Sequence, residues 1–341
     1  MKSSPVSSPL NPYHHIYVEE DIREHPQTLR ILSRLPKGQV IPIRHYKDVF
    51  CRTRQDVALQ HRAQALILAR KTGTLIYPGA PVCQSFGNHH FYYTSLCMNC
   101  PYDCQYCYLR GMYPSGNLVL FVNLEDYFRE LETLLAEHPV YLCLSYDTDL
   151  CPLESLHGLI HAFHHFLAIH PTLTVEVRTK SACIPLLRAL PPTEQMIFAF
   201  TLSPDEITVF ERKTPSLGAR LQAAKEGIDL GHSIRLCFDP MLYVPGWREV
   251  YTQFVPTLTD TLGADHLKKV RDFSVGTFRI SQSYLRFLRH TTSSPIVQYP
   301  FVNLDGVYGY PPTLAREMED TLCDALSAFA GPDKIFRWED N

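Results

Sequence analysis

The sequence predicts an α/β protein in which six parallel strands, each followed by a helix, curl into an open (β/α)6 barrel. Three observations lead there. From His89 onward, short β-type apolar runs alternate with stretches of helical period. The alternation repeats often enough to build one parallel sheet with right-handed crossovers. Composition is that of an ordinary globular protein, with 45% of the 341 residues hydrophobic and 20% charged. That balance excludes disordered, collagen-like and coiled-coil chains.

Residues 1–88 read as a mixed α/β extension. Ser3 to Pro12 is Ser/Pro-rich and reads as a frayed end. Asp21 to Leu35 is helical in pattern, with Pro26 marking where regular helix begins. Asp56 to Arg70 reads as a second helix, and Leu75-Ile76-Tyr77 as a short strand before the Pro78-Gly79 turn signal. Residues 89–290 form the barrel. Its expected strands are Phe91 to Leu96, Val140 to Ser145, Leu173 to Thr179, Met196 to Ser203, Ile234 to Asp239 and Ser274 to Ile280. The expected helices are Glu125 to His138, Pro152 to His170, Ala182 to Leu190, Ser216 to Gly231, Trp247 to Leu262 and Ser281 to His290, with Gly231 as a cap. Residues 291–341 are a closing segment, aromatic first and then helical from Thr313 to Ala330.

Charge and cysteine usage narrow the setting. Lys and Arg number 32 against 35 Asp and Glu, a formal charge of −3. No global basic field exists, so any nucleic acid must be held by a local patch. No apolar run approaches the ~18–20 residues of a membrane span, and the polar start Met1 to Pro5 predicts no secretory signal. The eleven cysteines are an odd number, which points to reduced thiols in a cytoplasm.

Four of those cysteines crowd into Cys97 to Cys107, in the loop after the first barrel strand. Parallel α/β folds place their chemistry in such loops. Cys100, Cys104 and Cys107 have C-x3-C-x2-C spacing, which suits three irons of a [4Fe–4S] cube and leaves the fourth open. Zinc is the alternative, because Cys97/Cys100 and Cys104/Cys107 are two C-x2-C pairs. Structural zinc usually separates its pairs by more than the three residues found here. Cys97 then reads as a core cysteine at the strand end.

With its spacing and position, this motif resembles the radical S-adenosylmethionine enzymes, and the barrel is of their type. The resemblance narrows to spore photoproduct lyase through Cys104-Gln105-Tyr106-Cys107-Tyr108-Leu109, Cys143-Leu144-Ser145, Arg178-Thr179-Lys180 and Gly246-Trp247-Arg248-Glu249-Val250-Tyr251. It implies a [4Fe–4S] cluster on Cys100, Cys104 and Cys107, with S-adenosylmethionine on the open iron. It also implies radical repair of a thymine adduct in DNA and an electron donor such as ferredoxin or flavodoxin. Lys180, Ser145, Thr201, Ser203 and Tyr106 resemble cofactor contacts, and Tyr108 a tyrosine near the cofactor. Cys143 resembles the hydrogen donor. It shares strand parity with Ser145, so both point inward or neither does. Tyr146 has the opposite parity and joins them only if the strand has already ended; Cys151 is a fallback donor.

The departure concerns DNA. Ser293 to Pro311 contains no lysine or arginine, and Val307 stands about where the resemblance implies an arginine. Lys268, Lys269, Arg271, Arg279, Arg286, Arg289 and His290 form the nearest basic set, read as solvated helix faces or as a local patch for damaged DNA. Tyr299, Phe301, Tyr308 and Tyr310 read as core or as stacking platforms. Two other readings stay open: the same radical chemistry on another nucleobase adduct or a non-DNA substrate, and a non-catalytic metal-bearing nucleic-acid-binding protein. His157, His161 and His165 read as a solvated helix face, and Asp147, Asp149 and Glu154 as polar loop residues.

Overall fold

A computed structural model describes residues 13–80 and 83–337; the Ser/Pro-rich stretch Ser3 to Pro12 and the chain's first residues lie outside them. Six strands carry the barrel: β1 (Phe91–Thr94), β2 (Val140–Cys143), β3 (Leu173–Thr179), β4 (Met196–Thr201), β5 (Ser233–Met241) and β6 (Asp272–Thr277). They pair in chain order, each parallel to the next. Ile76–Pro78 adds an antiparallel strand beside β1, and Ile335–Arg337 a parallel one beside β6. β4 is buried along its whole length, as expected of a strand covered on both faces.

The barrel helices are α1 (Leu124–Leu135), α2 (Leu159–Leu167), α3 (Ile184–Ala189), α4 (Leu217–Asp229), α5 (Trp247–Leu262) and α6 (Gln282–Thr291). α4 ends as expected at Gly231, whose φ of +83° is the left-handed conformation that glycine adopts freely. There the His232 amide returns to the Gly227 carbonyl at 2.9 Å.

Several expectations need correction. Pro152 to His170 is not one helix. Gly158, at φ +70°, separates Glu154–His157 from α2. A Cβ on Gly158 would lie 2.5 Å from Arg30 Nη2. The break also turns His157 inward, to 1% exposure, so the histidines are not a uniformly solvated face. Its Nδ1 accepts the Leu159 amide at 2.9 Å. Asp147, Asp149 and Glu154 are buried hydrogen-bond acceptors rather than exposed loop residues.

The second N-terminal helix is also shorter than expected. Val57–Arg62 is helical, but Leu66–Ala69 is a fully buried strand. A short continuous apolar run has no period that separates helix from strand. This strand lies between His15–Glu19 and Leu118–Phe121 in a second, five-stranded sheet. Leu118–Phe121 follows the cysteine loop, so that sheet draws chain from both sides of residue 88 and holds the loop between them.

The basic set is split. Lys268, Lys269 and Arg271 precede β6, whose six residues span roughly 20 Å. Arg271 faces Glu194, Asp272 and Ser233 at the starts of the strands. Arg279 and α6 lie beyond the other end of β6. The aromatic closing segment is largely core: Tyr310 is 2% and Phe301 8% exposed, and their rings are 5.3 Å apart.

Candidate active site

The strands converge on a cavity of about 390 Å3 at their C-terminal ends, within the size range of small-molecule sites. Cys100, Cys104 and Cys107 lie together in its lining. The loop bearing them is fixed from two directions. On one side Asp103–Cys104 pairs antiparallel with Glu211–Arg212, and the Gln105 amide donates to the Phe210 carbonyl at 2.8 Å. On the other, the Gln64 side chain donates to the Cys100 carbonyl at 3.0 Å, and Arg110 meets Asp103 at 2.6 Å.

Burial raises all three thiols above the ordinary cysteine value, while Lys180 pulls Cys104 and Cys107 back toward the thiolate. Lys180 itself would be neutralised by burial, but Glu211 and Cys104 hold its ammonium above the usual lysine value. Its Nζ lies 5.9 Å from the Tyr106 ring centre. Among the described residues no three His, Cys, Asp or Glu side chains are arranged around a single metal ion. In an iron–sulfur cube each thiolate takes its own iron, and three soft donors along one cavity wall fit that group.

Beneath the loop lies a buried ion pair, Glu211 with Arg220 at 2.6 Å, both side chains wholly inaccessible. Burial would raise Glu211, but the charges of Lys180 and Arg220 hold its carboxyl below the usual value. Tyr106 donates its hydroxyl to Glu211, and Ser203 does so at 3.0 Å. Tyr106 still reaches the lining, as does Thr201 at the end of β4, but Ser203 is not part of it. Lys180 is placed by Asp149, which accepts its backbone N–H at 2.7 Å and the Thr179 hydroxyl at 2.8 Å.

The β2 end brings the remaining candidates together. Cys143 and Ser145 both line the cavity, as their shared parity requires. The strand stops at Cys143, so Tyr146 is free of strand alternation and lines the cavity too. Its ring stacks on Tyr93 at 4.0 Å, and its carbonyl accepts the Tyr108 hydroxyl. Ser145 Oγ is buried with no hydrogen-bond partner among the described residues, an arrangement suited to a polar group of a bound molecule. Burial and the Glu176 carboxylate push the Cys143 thiol up, so its sulfur keeps its hydrogen. Cys151 is buried outside the lining.

Sequence reasoning missed other parts of the wall. Arg178 carried a usable signal, since it shares parity with Lys180 two residues on. Its Nη1 lies 3.1 Å from each Asp239 oxygen. Arg279 was named only within the basic set, and Cys83 and Tyr284 carried no signal, because these residues come from separate segments that meet only in the folded chain.

Comparison with known proteins places the chain in one family and one fold. The family model described as spore photoproduct lyase matches residues 85–297. The spore photoproduct lyase of Geobacillus sp. (strain Y412MC61) is 25% identical over 258 residues, covering 70% of this chain and 73% of the relative. A solved spore photoproduct lyase complexed with dinucleoside spore photoproduct has TM-score 0.80 at 17% identity, covering 96% of this chain and 98% of the other. A mutant of that enzyme with bound AdoMet and the same dinucleoside gives 0.79 at 18%, with 96% and 99% covered. The family match spans more than half of the chain, and with it the chain belongs to the spore photoproduct lyase family of radical S-adenosylmethionine enzymes.

Proposed function

We propose that this protein reverses a thymine adduct of the spore photoproduct type in damaged DNA, in the cytoplasm, fed by a one-electron donor. The observation that carries the reading is the grouping of three thiols, Lys180, Ser145 and Cys143 around one cavity. When bound, a [4Fe–4S] cluster and S-adenosylmethionine supply the one-electron cleavage that yields a 5′-deoxyadenosyl radical.

The chain's own part is position and exclusion of water. Cys100, Cys104 and Cys107 would hold three irons. The Lys180 ammonium would meet a carboxylate of S-adenosylmethionine, and Ser145, Thr201 and Tyr106 would orient its polar groups. Tyr108 and Tyr146 hold one another beside the thiol. Cys143 stays protonated and would hand its sulfur-bound hydrogen to the product radical. Ser203 would act through Glu211, which it and Tyr106 share.

The test is repair by cluster-loaded, dithionite-reduced protein given S-adenosylmethionine and an oligonucleotide containing spore photoproduct. Restored thymidine is expected. Cys143→Ala should continue to form 5′-deoxyadenosine while restored thymidine falls at least ~100-fold, taking the loss of a proton-transfer group as the scale. A second reading, another nucleobase adduct or a non-DNA substrate, is favoured by Val307 in the cavity wall and by the absence of Lys and Arg from residues 293–311. 5′-Deoxyadenosine without restored thymidine would decide for it.

A further inference from the structure

Residues 44–62 carry five cations, Arg44, Lys47, Arg52, Arg54 and Arg62, against two carboxylates, Asp48 and Asp56, in a chain of net charge −3. All five cations are exposed. Some exposed cations elsewhere meet acids, as Arg188 does Glu226 at 2.7 Å, whereas others, such as Lys268 and Arg286, have no ion pair among the described residues. Among the described residues none of these five is ion-paired. Arg52 donates instead to the Asp48 carbonyl at 2.6 Å, and Lys47 lies over the Tyr46 ring. The two acids serve local turns, Asp48 accepting the His45 amide and Asp56 the Leu59 amide. The segment therefore presents uncompensated positive charge.

Its inner side packs behind the cysteine loop. Tyr46, Val49 and Phe50 belong to an apolar cluster against which Cys100, Cys107 and Tyr108 pack. The layer is continuous: Tyr46 meets Phe121 edge-on at 5.5 Å, and Phe50 meets Tyr113 at 5.4 Å. Gln64, just past the segment, bonds the Cys100 carbonyl directly. None of residues 44–62 lines the cavity. A molecule bound here would face the back of the three thiols and leave the substrate entrance clear.

We propose that the surface of Arg44, Lys47, Arg52 and Arg54 is the docking site for a small acidic one-electron carrier protein. The proposal rests on the functional reading above, which places a cluster on Cys100, Cys104 and Cys107. The step is a single electron transfer: the reduced carrier loses one electron, the cluster gains it, and no bond or proton need move. Opposite charge on the two proteins steers encounter and sets orientation. The packed side chains between surface and thiols keep water away from the group being reduced. The duplex backbone is the competing occupant of a basic surface, but it would have to lie away from the cavity its lesion must enter.

The test compares the parent with the triple variant Arg44→Glu, Arg52→Glu, Arg54→Glu, both cluster-loaded under anaerobic conditions. The probe is an acidic flavodoxin kept reduced by NADPH and its reductase. Binding is read by titration and cluster reduction by rapid mixing, at salt between about 50 and 200 mM. In the variant, flavodoxin affinity and reduction rate should each fall at least ~10-fold, with loss of the parent's salt dependence. Iron content and dithionite-driven 5′-deoxyadenosine formation should stay at parent values. A loaded parent whose flavodoxin binding and reduction ignore the three reversals overturns this proposal alone. So does a variant that loses affinity for lesion-bearing duplex but not for flavodoxin. A parent that takes up no iron sinks the functional reading and this proposal with it.

Discussion

Cys143 and Cys51 have the same side chain and opposite fates. Burial and the neighbouring Glu176 hold Cys143 as a thiol, while Cys51 is exposed. The thiolate is the nucleophile, so brief iodoacetamide treatment near pH 8 should label Cys51 first and leave Cys143 unlabelled in the folded protein. Peptide mass spectrometry reads this, and early labelling of Cys143 would remove the case for a protected hydrogen donor. Ser145→Ala should weaken S-adenosylmethionine binding by roughly 5–10-fold, one hydrogen bond, because its orphaned hydroxyl faces the cavity. His61 is only 5% exposed, and burial pushes its imidazole down to about 4 against the pull of Asp103. Between that value and the ordinary ~6.5, the unfolded chain binds a proton that the native one does not. Stability should therefore fall by roughly 2 kcal/mol from pH 7 to pH 5. His61→Phe should lose less over the same interval, read as urea midpoints.

Helix and strand ends decide which side chains the site receives. β2 stops at Cys143, and that early end frees Tyr146 to share the wall with Cys143 and Ser145. One more strand residue pair would have turned it away. Gly158 plays the same part on the other face, where its left-handed backbone splits the expected helix and buries His157. Gly158→Ala combines an unfavourable φ with the nearby Arg30 guanidinium. It should cost about 1–3 kcal/mol in urea unfolding, with the larger loss if Arg30 cannot move. A midpoint unchanged from the parent would mean that the break is set by its neighbours and not by glycine.

The whole molecule separates its charges by position. Buried pairs such as Glu211 with Arg220 sit beneath the cysteine loop, and Arg235 joins Glu176 to Asp272 in the barrel interior. Removing one member leaves the other buried without its counter-charge. Arg220→Met should therefore cost roughly 3–5 kcal/mol and reduce iron uptake, measured together by unfolding and iron analysis. Lys268 and Lys269 lie before β6, at the opposite end of that strand from the cavity. Changing both to Ala should leave lesion affinity and repair within about twofold of the parent, as expected of charges further away than a Debye length. No helix among the described residues is long and apolar enough to cross a membrane.

The alternation of strands and helices, the loop that holds Cys100, Cys104 and Cys107, and the ranges of β3 and α5 were all legible in the chain. Each depends on neighbours within a few residues, through side-chain period, cap and spacing. The parity that pairs Cys143 with Ser145 is equally local. Tertiary structure alone decided that Leu66–Ala69 is a strand, because an apolar run with no period takes its form from the partners on either side. It also decided that Glu211 would claim Ser203, that Cys83 and Arg279 would join the cavity, and that the basic set would divide between two ends of one strand. Those outcomes depend on contacts between segments far apart in sequence, where burial and charge act across space and leave no pattern along the chain.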